Sequence, residues 1–431
     1  MTAASTSAVR HARAITRICA LAAGCWIAVA AAISAAALTV FSSPIGLALT
    51  VLVIGLCALP LLRFRRIVPP LSPTVPPAQG GYGELMLAVR QVTAALGVSE
   101  PAGLELSPDC DAWLEPRPDG PVLVIGAPFL WWLRVSELRG LLAPVLAGMD
   151  AAHDPLIGRA RRLVRRLDIA ESRGCPPWPR SFTAAVAAAC RIRAEGMERA
   201  IGAASAERAR IVEPASRVYA HEQAGLVAVG WERLLTRLAM PAWRRDYAPE
   251  TLNAALVAAL TELGQRDRVG VGLADRLTER PACDLLDEPG AVDRAVSVLA
   301  PEVYQGQPTE NVLPWSRYVA TVAEPGLRAE AADAPDHPLI SKVRALLDVQ
   351  AHAHGSGELA AGLRAVVQCG LVDRGLAVWD IDWLDGVILR DRAELAVPVD
   401  ELVHGLLDNA DFAALRDWVT YASGLRTQPS A

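Results

Sequence analysis

Residues 18–62 read ICALAAGCWIAVAAAISAAALTVFSSPIGLALTVLVIGLCALPLL, with no charged side chain from Ile18 to Leu62. A hydrocarbon layer about 30 Å thick takes roughly 20 apolar helical residues to cross. The run therefore holds two crossings, residues 18–41 and 45–62, divided at Ser42-Ser43-Pro44. Backbone polar groups in lipid must pair within their own segment, so two helices joined by a tight turn are expected. Arg10, Arg13 and Arg17 precede the first crossing, and Arg63, Arg65 and Arg66 follow the second. Positive charge at both ends and none in the turn predicts a multi-pass protein of the cell membrane with both termini cytoplasmic. A secretory signal peptide would share the arginines, the apolar stretch and Ala35-x-Ala37, but it is shorter and no second crossing follows it. The first crossing is rich in alanine, which inserts less strongly than leucine, so it should pack on the second.

Beyond the hairpin, residues 67–80 carry five prolines and no charge, an extended spacer by composition. Helical spacing over Tyr82–Leu96 ends at Gly97, and Leu104–Leu106 and Val122–Gly126 read as short strands. After these the pattern is helical almost throughout, with breaks expected at Gly174–Pro179, Pro241, Pro281, Pro289 and Pro301. Residues 305–338 are polar and contain proline, which predicts irregular structure. Helical periodicity returns at Glu358–Gln368, Val399–Leu407 and Phe412–Ala422, around an aromatic segment Trp379–Trp383. The fold class is mainly α, an α+β chain with a minor β element. Its expected parts are a tail and hairpin (1–66), a linker (67–80), a mostly helical domain (81–347) and a helical extension (348–431).

Acidic side chains number 47 against 42 basic, a net charge of −5, which excludes the basic excess of a nucleic-acid binder. The eight cysteines are scattered without a C-x-x-C pair, so neither a disulfide framework nor a cysteine zinc site is expected. Arg159-Ala-Arg161-Arg162-Leu-Val-Arg165-Arg166 reads as an amphipathic basic helix. A solvated face is its ordinary role, and on a membrane-tethered domain Arg161, Arg162, Arg165 and Arg166 become candidates for contact with anionic lipid. Gly270-Val271-Gly272 lacks the third glycine and the preceding strand of a dinucleotide site. His352-x-His354 beside Gly355-Ser356-Gly357 reads as a loop.

The most informative stretch is Pro121–Leu156, PVLVIGAPFLWWLRVSELRGLLAPVLAGMDAAHDPL. A strand ending at Ile125-Gly126 leads to a helix that Ser136 is placed to cap. The arrangement resembles the HtpX-like membrane zinc metallopeptidases (metallopeptidase family forty-eight), whose corresponding helix reads E-L-x-A-V-x-A-H-E-x-x-H. Glu137-Leu138 match its E-L and Ala143 the alanine before the first ligand, so the H-E-x-x-H falls on Pro144, Val145, Leu146, Ala147 and Gly148. The later E-x-x-A-D helix is best matched by Arg217–Gly230, which puts the third zinc ligand at Val218 and the family's aspartate at Glu222. A shift of one turn would bring His221 or Glu222 to the site instead. Asp336-His337-Pro338 resembles a late T-H-P segment, and the hairpin stands where the family has one. The resemblance covers about residues 81–347.

Two histidines four apart hold zinc from one side of a helix, and the glutamate between them serves as general base. Pro144, Val145, Gly148 and Val218 can do neither. The resemblance therefore implies a catalytically inactive, membrane-anchored relative without a cofactor, acting through the lipid bilayer and other membrane proteins and not through nucleic acid. Leu138, Leu142, Val145 and Met149 form one apolar stripe, predicting that the former catalytic face has become core. An active peptidase would need zinc on substitute ligands, for which His153, Asp154, His221 and Glu222 are the candidates. An unrelated helical membrane-associated protein is the third reading.

Overall fold

A computed structural model describes residues 3–41, 43–77, 82–174, 176–212, 214–266, 279–349, 357–409 and 412–423. The described residues are mainly helical, with three small sheets. Its described residues divide into two compact units, one within Met1–Ser107, Asp111–Gln223 and Arg280–Asp287, the other within Pro108–Cys110, Ala224–Glu279 and Glu288–Ala431.

The first unit opens with α1 (Ala3–Val40) and α2 (Ser43–Arg66), both long and apolar enough to cross a membrane. The large apolar side chains Ile27, Ile33, Leu38, Val51, Leu52 and Leu56 are exposed, the opposite of what a buried core helix would show. The two helices meet through small residues, as the alanine content predicts. A side chain at Gly46 would come within 3.0 Å of the Ala37 carbonyl oxygen, and Ala30, Ser34 and Ala37 are buried.

The first half of α1 does something else. Ala8, Ala12, Ile15, Cys19 and Ala22 are buried at alternating steps of four and three, the seam of a coiled coil. They pack with residues of α7 (Pro155–Ser172) and α8 (Arg180–Arg208), including Ile157, Leu167, Cys190, Met197 and Ile201. The Cys19 and Cys190 sulfurs lie 3.7 Å apart. Gly196 on α8 leaves room for the His11 ring, whose Cε1 would lie 2.6 Å from any added Cβ. The apolar run is thus shared, because residues 18–22 belong partly to this seam and the exposed apolar band is continuous only beyond it.

After the hairpin the chain forms α3 (Gly83–Leu96), closed by left-handed Gly97, and a three-stranded sheet. Its strands are β1 (Gly103–Ser107), β2 (Ala112–Arg117) and β3 (Gly120–Gly126), in the order β1-β3-β2. β3 is the centre, parallel to β1 and antiparallel to β2, with Leu123 opposite both Leu104 and Leu114. β2 was not expected: Pro116 breaks its alternation, and an edge position is what tolerates it. The proline-rich segment is strapped down where a free spacer was expected, since Val75 exchanges hydrogen bonds with Leu106 at 2.7 and 3.0 Å. β3 passes into α4 (Ala127–Trp132), α5 (Val135–Leu146) and α6 (Met149–His153), and after α8 the chain enters α9 (Pro214–Leu234).

In the second unit a π turn at Leu235–Ala239 joins α9 to α10 (Met240–Trp243). Short strands β4 (Ala248–Pro249) and β5 (Val312–Leu313) pair in parallel around α11 (Leu252–Arg266) and α12 (Pro289–Gln305). The segment expected to be irregular is helical over most of its length, as α13 (Trp315–Tyr318), a second π turn (Val319–Ala323) and α14 (Glu324–Ala332). Two aromatic anchors hold it: the Trp315 indole donates to the Thr251 carbonyl at 2.7 Å and the buried Tyr318 hydroxyl to that of Leu238 at 2.7 Å. Each π turn ends two residues before a proline, Pro241 or Pro325, and the wider turn accommodates the ring that would meet the carbonyl four residues back. Pro241 therefore does not break the chain's helix, and neither does Pro301, which lies inside α12 on a buried stripe with Val292, Val296 and Ala300.

α15 (Pro338–Leu347), α16 (Leu359–Asp373), the hairpin β6 (Ala377–Asp382) and β7 (Gly386–Asp391), α17 (Val399–Asn409) and α18 (Ala413–Ala422) complete the unit. Ile340, Val343, Leu347, Leu363, Val366, Leu389, Leu406 and Leu415 share one core, so residues on both sides of position 348 are packed together.

Candidate functional site

α5 begins one residue earlier than the expected cap. Its N-terminal flank is Arg134, whose backbone N–H is accepted by the Glu137 carboxylate at 2.9 Å, so Ser136 lies inside the first turn. Along α5, Leu138, Gly140, Leu142, Ala143 and Leu146 are buried. α9 meets it at Gly140, where an added Cβ would lie 3.2 Å from the Arg217 Cα and 3.6 Å from the Ala220 Cβ. The two helices that the resemblance assigns to the zinc site therefore come together through a missing side chain. Trp132 secures the same face by donating its indole N–H to the Gln223 side-chain oxygen at 2.8 Å.

A crevice of about 310 Å³ lies beside this contact, lined by Pro144, Glu207, Arg210, Arg217 and His221. Pro144 and His221 are thus brought together. Gly148 faces elsewhere: a side chain there would meet the Val145 carbonyl oxygen at 3.0 Å and the Ser205 hydroxyl on α8 at 3.6 Å. Leu138, Leu142 and Met149 are core, but Val145 is only half-buried and Val218 is 62% exposed, so the apolar filling stops short of the positions that the resemblance assigns to ligands.

The donor set does not fit a zinc ion. A catalytic zinc takes three protein ligands, whereas the crevice offers one imidazole and one carboxylate. That carboxylate, Glu207, is engaged by Arg210 at 3.1 Å. The neighbouring guanidinium groups of Arg210 and Arg217 further disfavour a divalent cation. His221 donates through Nδ1 to the Arg217 carbonyl at 2.8 Å, and Glu222 is exposed. His153 donates to the Met149 carbonyl at 3.0 Å at the end of α6, while Asp154 caps α7 by accepting from the Leu156 and Ile157 backbone at 2.8 and 3.2 Å. Among the described residues no three His, Cys, Asp or Glu side chains converge as a metal site would require. His352, His354 and Gly270–Gly272 lie outside the described residues.

The four arginines singled out on α7 divide by direction. Arg161 is bidentate to Glu198 at 2.7 and 2.6 Å, and Arg165 points to the buried Glu115 carboxylate 3.8 Å away. These two are held by protein acids. Arg162 and Arg166 instead line a groove of about 960 Å³ between α1, α2 and α7, together with Arg65, Arg159 and Trp178. Arg65 was read only as a flanking charge and Trp178 gave no signal in the sequence, because the groove joins the hairpin to a helix more than ninety residues further along the chain.

Comparison with known protein families, characterised proteins and solved structures finds no match.

Proposed function

We propose that the chain is a membrane-anchored, catalytically inactive relative of the HtpX-like zinc metallopeptidases that acts by binding other membrane proteins. The observation that carries this reading is the close approach of α5 and α9 at Gly140 beside a crevice whose lining lacks the ligands and base of a peptidase. Strand β3 followed by two helices, in the order the resemblance requires, supports it further. The hairpin spans the membrane with both termini cytoplasmic. Supporting this, Arg10, Arg13 and Arg17 precede the apolar band, Arg63, Arg65 and Arg66 follow it, and none lies in the turn.

Metal analysis of the full chain, purified in detergent, tests the reading together with a general protease assay. Well under one equivalent of zinc and no chelator-sensitive proteolysis are expected. Stoichiometric zinc required for proteolysis would refute it and favour the substitute-ligand peptidase.

A further inference from the structure

We infer that the groove between α1, α2 and α7 is a binding site for one anionic glycerophospholipid. The inference rests on the hairpin reading above and adds a specific occupant. The floor of the groove is apolar and narrow-sided, with Ala23, Ala31 and Ala35 from α1 facing Ile54, Ala58 and Leu61 from α2. Alanine at these positions leaves a trough that leucine would fill. From Thr16 to Leu38 the groove follows α1 for about 33 Å at 1.5 Å per residue, an elongated shape suited to an acyl chain.

Its other end is cationic. Arg65 closes α2, and Arg159, Arg162 and Arg166 succeed one another along α7 at steps of three and four, on one helical face. Arg166 donates through Nε to the Ile67 carbonyl at 2.9 Å, which ties α7 to the chain leaving α2. Arg65, Arg159 and Arg162 have no carboxylate partner among the described residues, in contrast to Arg161 and Arg165 on the same helix. Three unneutralised guanidinium groups beside an apolar trough match a phosphate joined to acyl chains, and guanidinium geometry suits phosphate oxygens.

Trp178 supplies an independent sign. Only 5% exposed, it lines the groove, and its indole N–H has no hydrogen-bond partner among the described residues. Buried donors are normally satisfied, and a phosphate or ester oxygen in the groove would satisfy this one. Phe64, 6.2 Å from Trp178 between ring centroids, forms the apolar wall next to it. A lipid seated here would touch the hairpin and the helical unit at once. It would bridge the two parts of α1.

The test uses the full chain in neutral detergent, delipidated and titrated with dioleoyl phosphatidylglycerol or dioleoyl phosphatidylcholine, with one-to-one adducts counted by native mass spectrometry. Phosphatidylglycerol should be retained in preference. The double substitution Arg159→Gln and Arg162→Gln should weaken its retention about thirtyfold, the effect of two arginines near an anionic headgroup. Arg161→Gln, which removes a group already paired with Glu198, should change it by less than about twofold. Ala31→Trp, filling the trough without touching the arginines, should also abolish the adduct. Millimolar inorganic phosphate should leave the adduct in place, and complete displacement by phosphate would show an anion site without an acyl component. Equal retention of both lipids, or no effect of the double substitution, overturns the inference. Carbonate extraction of native membranes separates the two levels. A chain that stays in the membrane while both lipids bind equally loses only the lipid site; a chain released by carbonate loses the hairpin and the lipid site together.

Discussion

Replacing Ile15 by alanine should destabilise the first unit far more than the same chemical change at Ile27, twelve residues along the same helix. Ile15 is fully buried in the seam between α1, α7 and α8, whereas Ile27 is 59% exposed in the apolar band. Truncating a buried isoleucine to alanine costs about 2–5 kcal/mol, made up of lost transfer energy and the cavity left behind. The neighbours of Ile15 on its own helix are Ala8, Ala12 and Cys19, too small to lean into the void, and α7 and α8 are long continuous helices that resist collapse. About 3 kcal/mol is therefore expected, equivalent to a fall in Tm of about 6–12 °C for a unit of this size. Ile27→Ala exchanges one exposed apolar group for a smaller one and should stay within about 0.5 kcal/mol. Differential scanning fluorimetry of both variants of the full chain in detergent gives the comparison. Equal shifts would refute the seam.

Two further outcomes are expected. Asp293 is 4% exposed and accepts from the Asn253 backbone at 3.2 Å, and burial pushes its carboxyl up to about 6. A carboxyl raised in the folded state binds its proton more tightly there, so stability falls as pH rises from about 4 to about 6 and is level above that. Asp293→Asn should therefore leave stability unchanged near pH 4 and raise it by up to about 3 kcal/mol near pH 7.5, as read by denaturant unfolding at the two pH values. A reporter fused after Arg66 should be active on the cytoplasmic side; activity only outside would show that the flanking arginines do not set the orientation.

The two long apolar helices were legible because an uncharged run from Ile18 to Leu62 is longer than any helix of a water-soluble core would need. The seam beside them was not, although its spacing is regular. Three of its five members, Ala8, Ala12 and Ala22, carry too little apolar surface to stand out among alternating arginines. α3, α17 and α18 followed their periodicity closely, because each buries one face, and α16, buried all round from Ala365 to Leu371, was legible as a long apolar helical stretch. By contrast α13 and α14 depend on distant anchors, Thr251 and Leu238, which no local pattern records. The residue types at the positions that the resemblance would assign to zinc ligands were readable one by one. Their surroundings were not: Gly140 against Arg217, and the pairing of Glu207 with Arg210, are matters of packing. Likewise Arg161 and Arg162 are adjacent in a single basic run, and only the placement of Glu198 separates their roles.

The continuity of α1 bears on how the proposed membrane hairpin would carry the first unit. A body hung from a flexible leash sweeps a hemisphere and samples many heights and headings above the membrane. A 38-residue helix about 57 Å long, half in the apolar band and half in a packed seam, behaves as a strut. On the proposed hairpin reading, the first unit would be held at one height and one azimuth, its motion reduced to sliding and rotation within the plane of the bilayer.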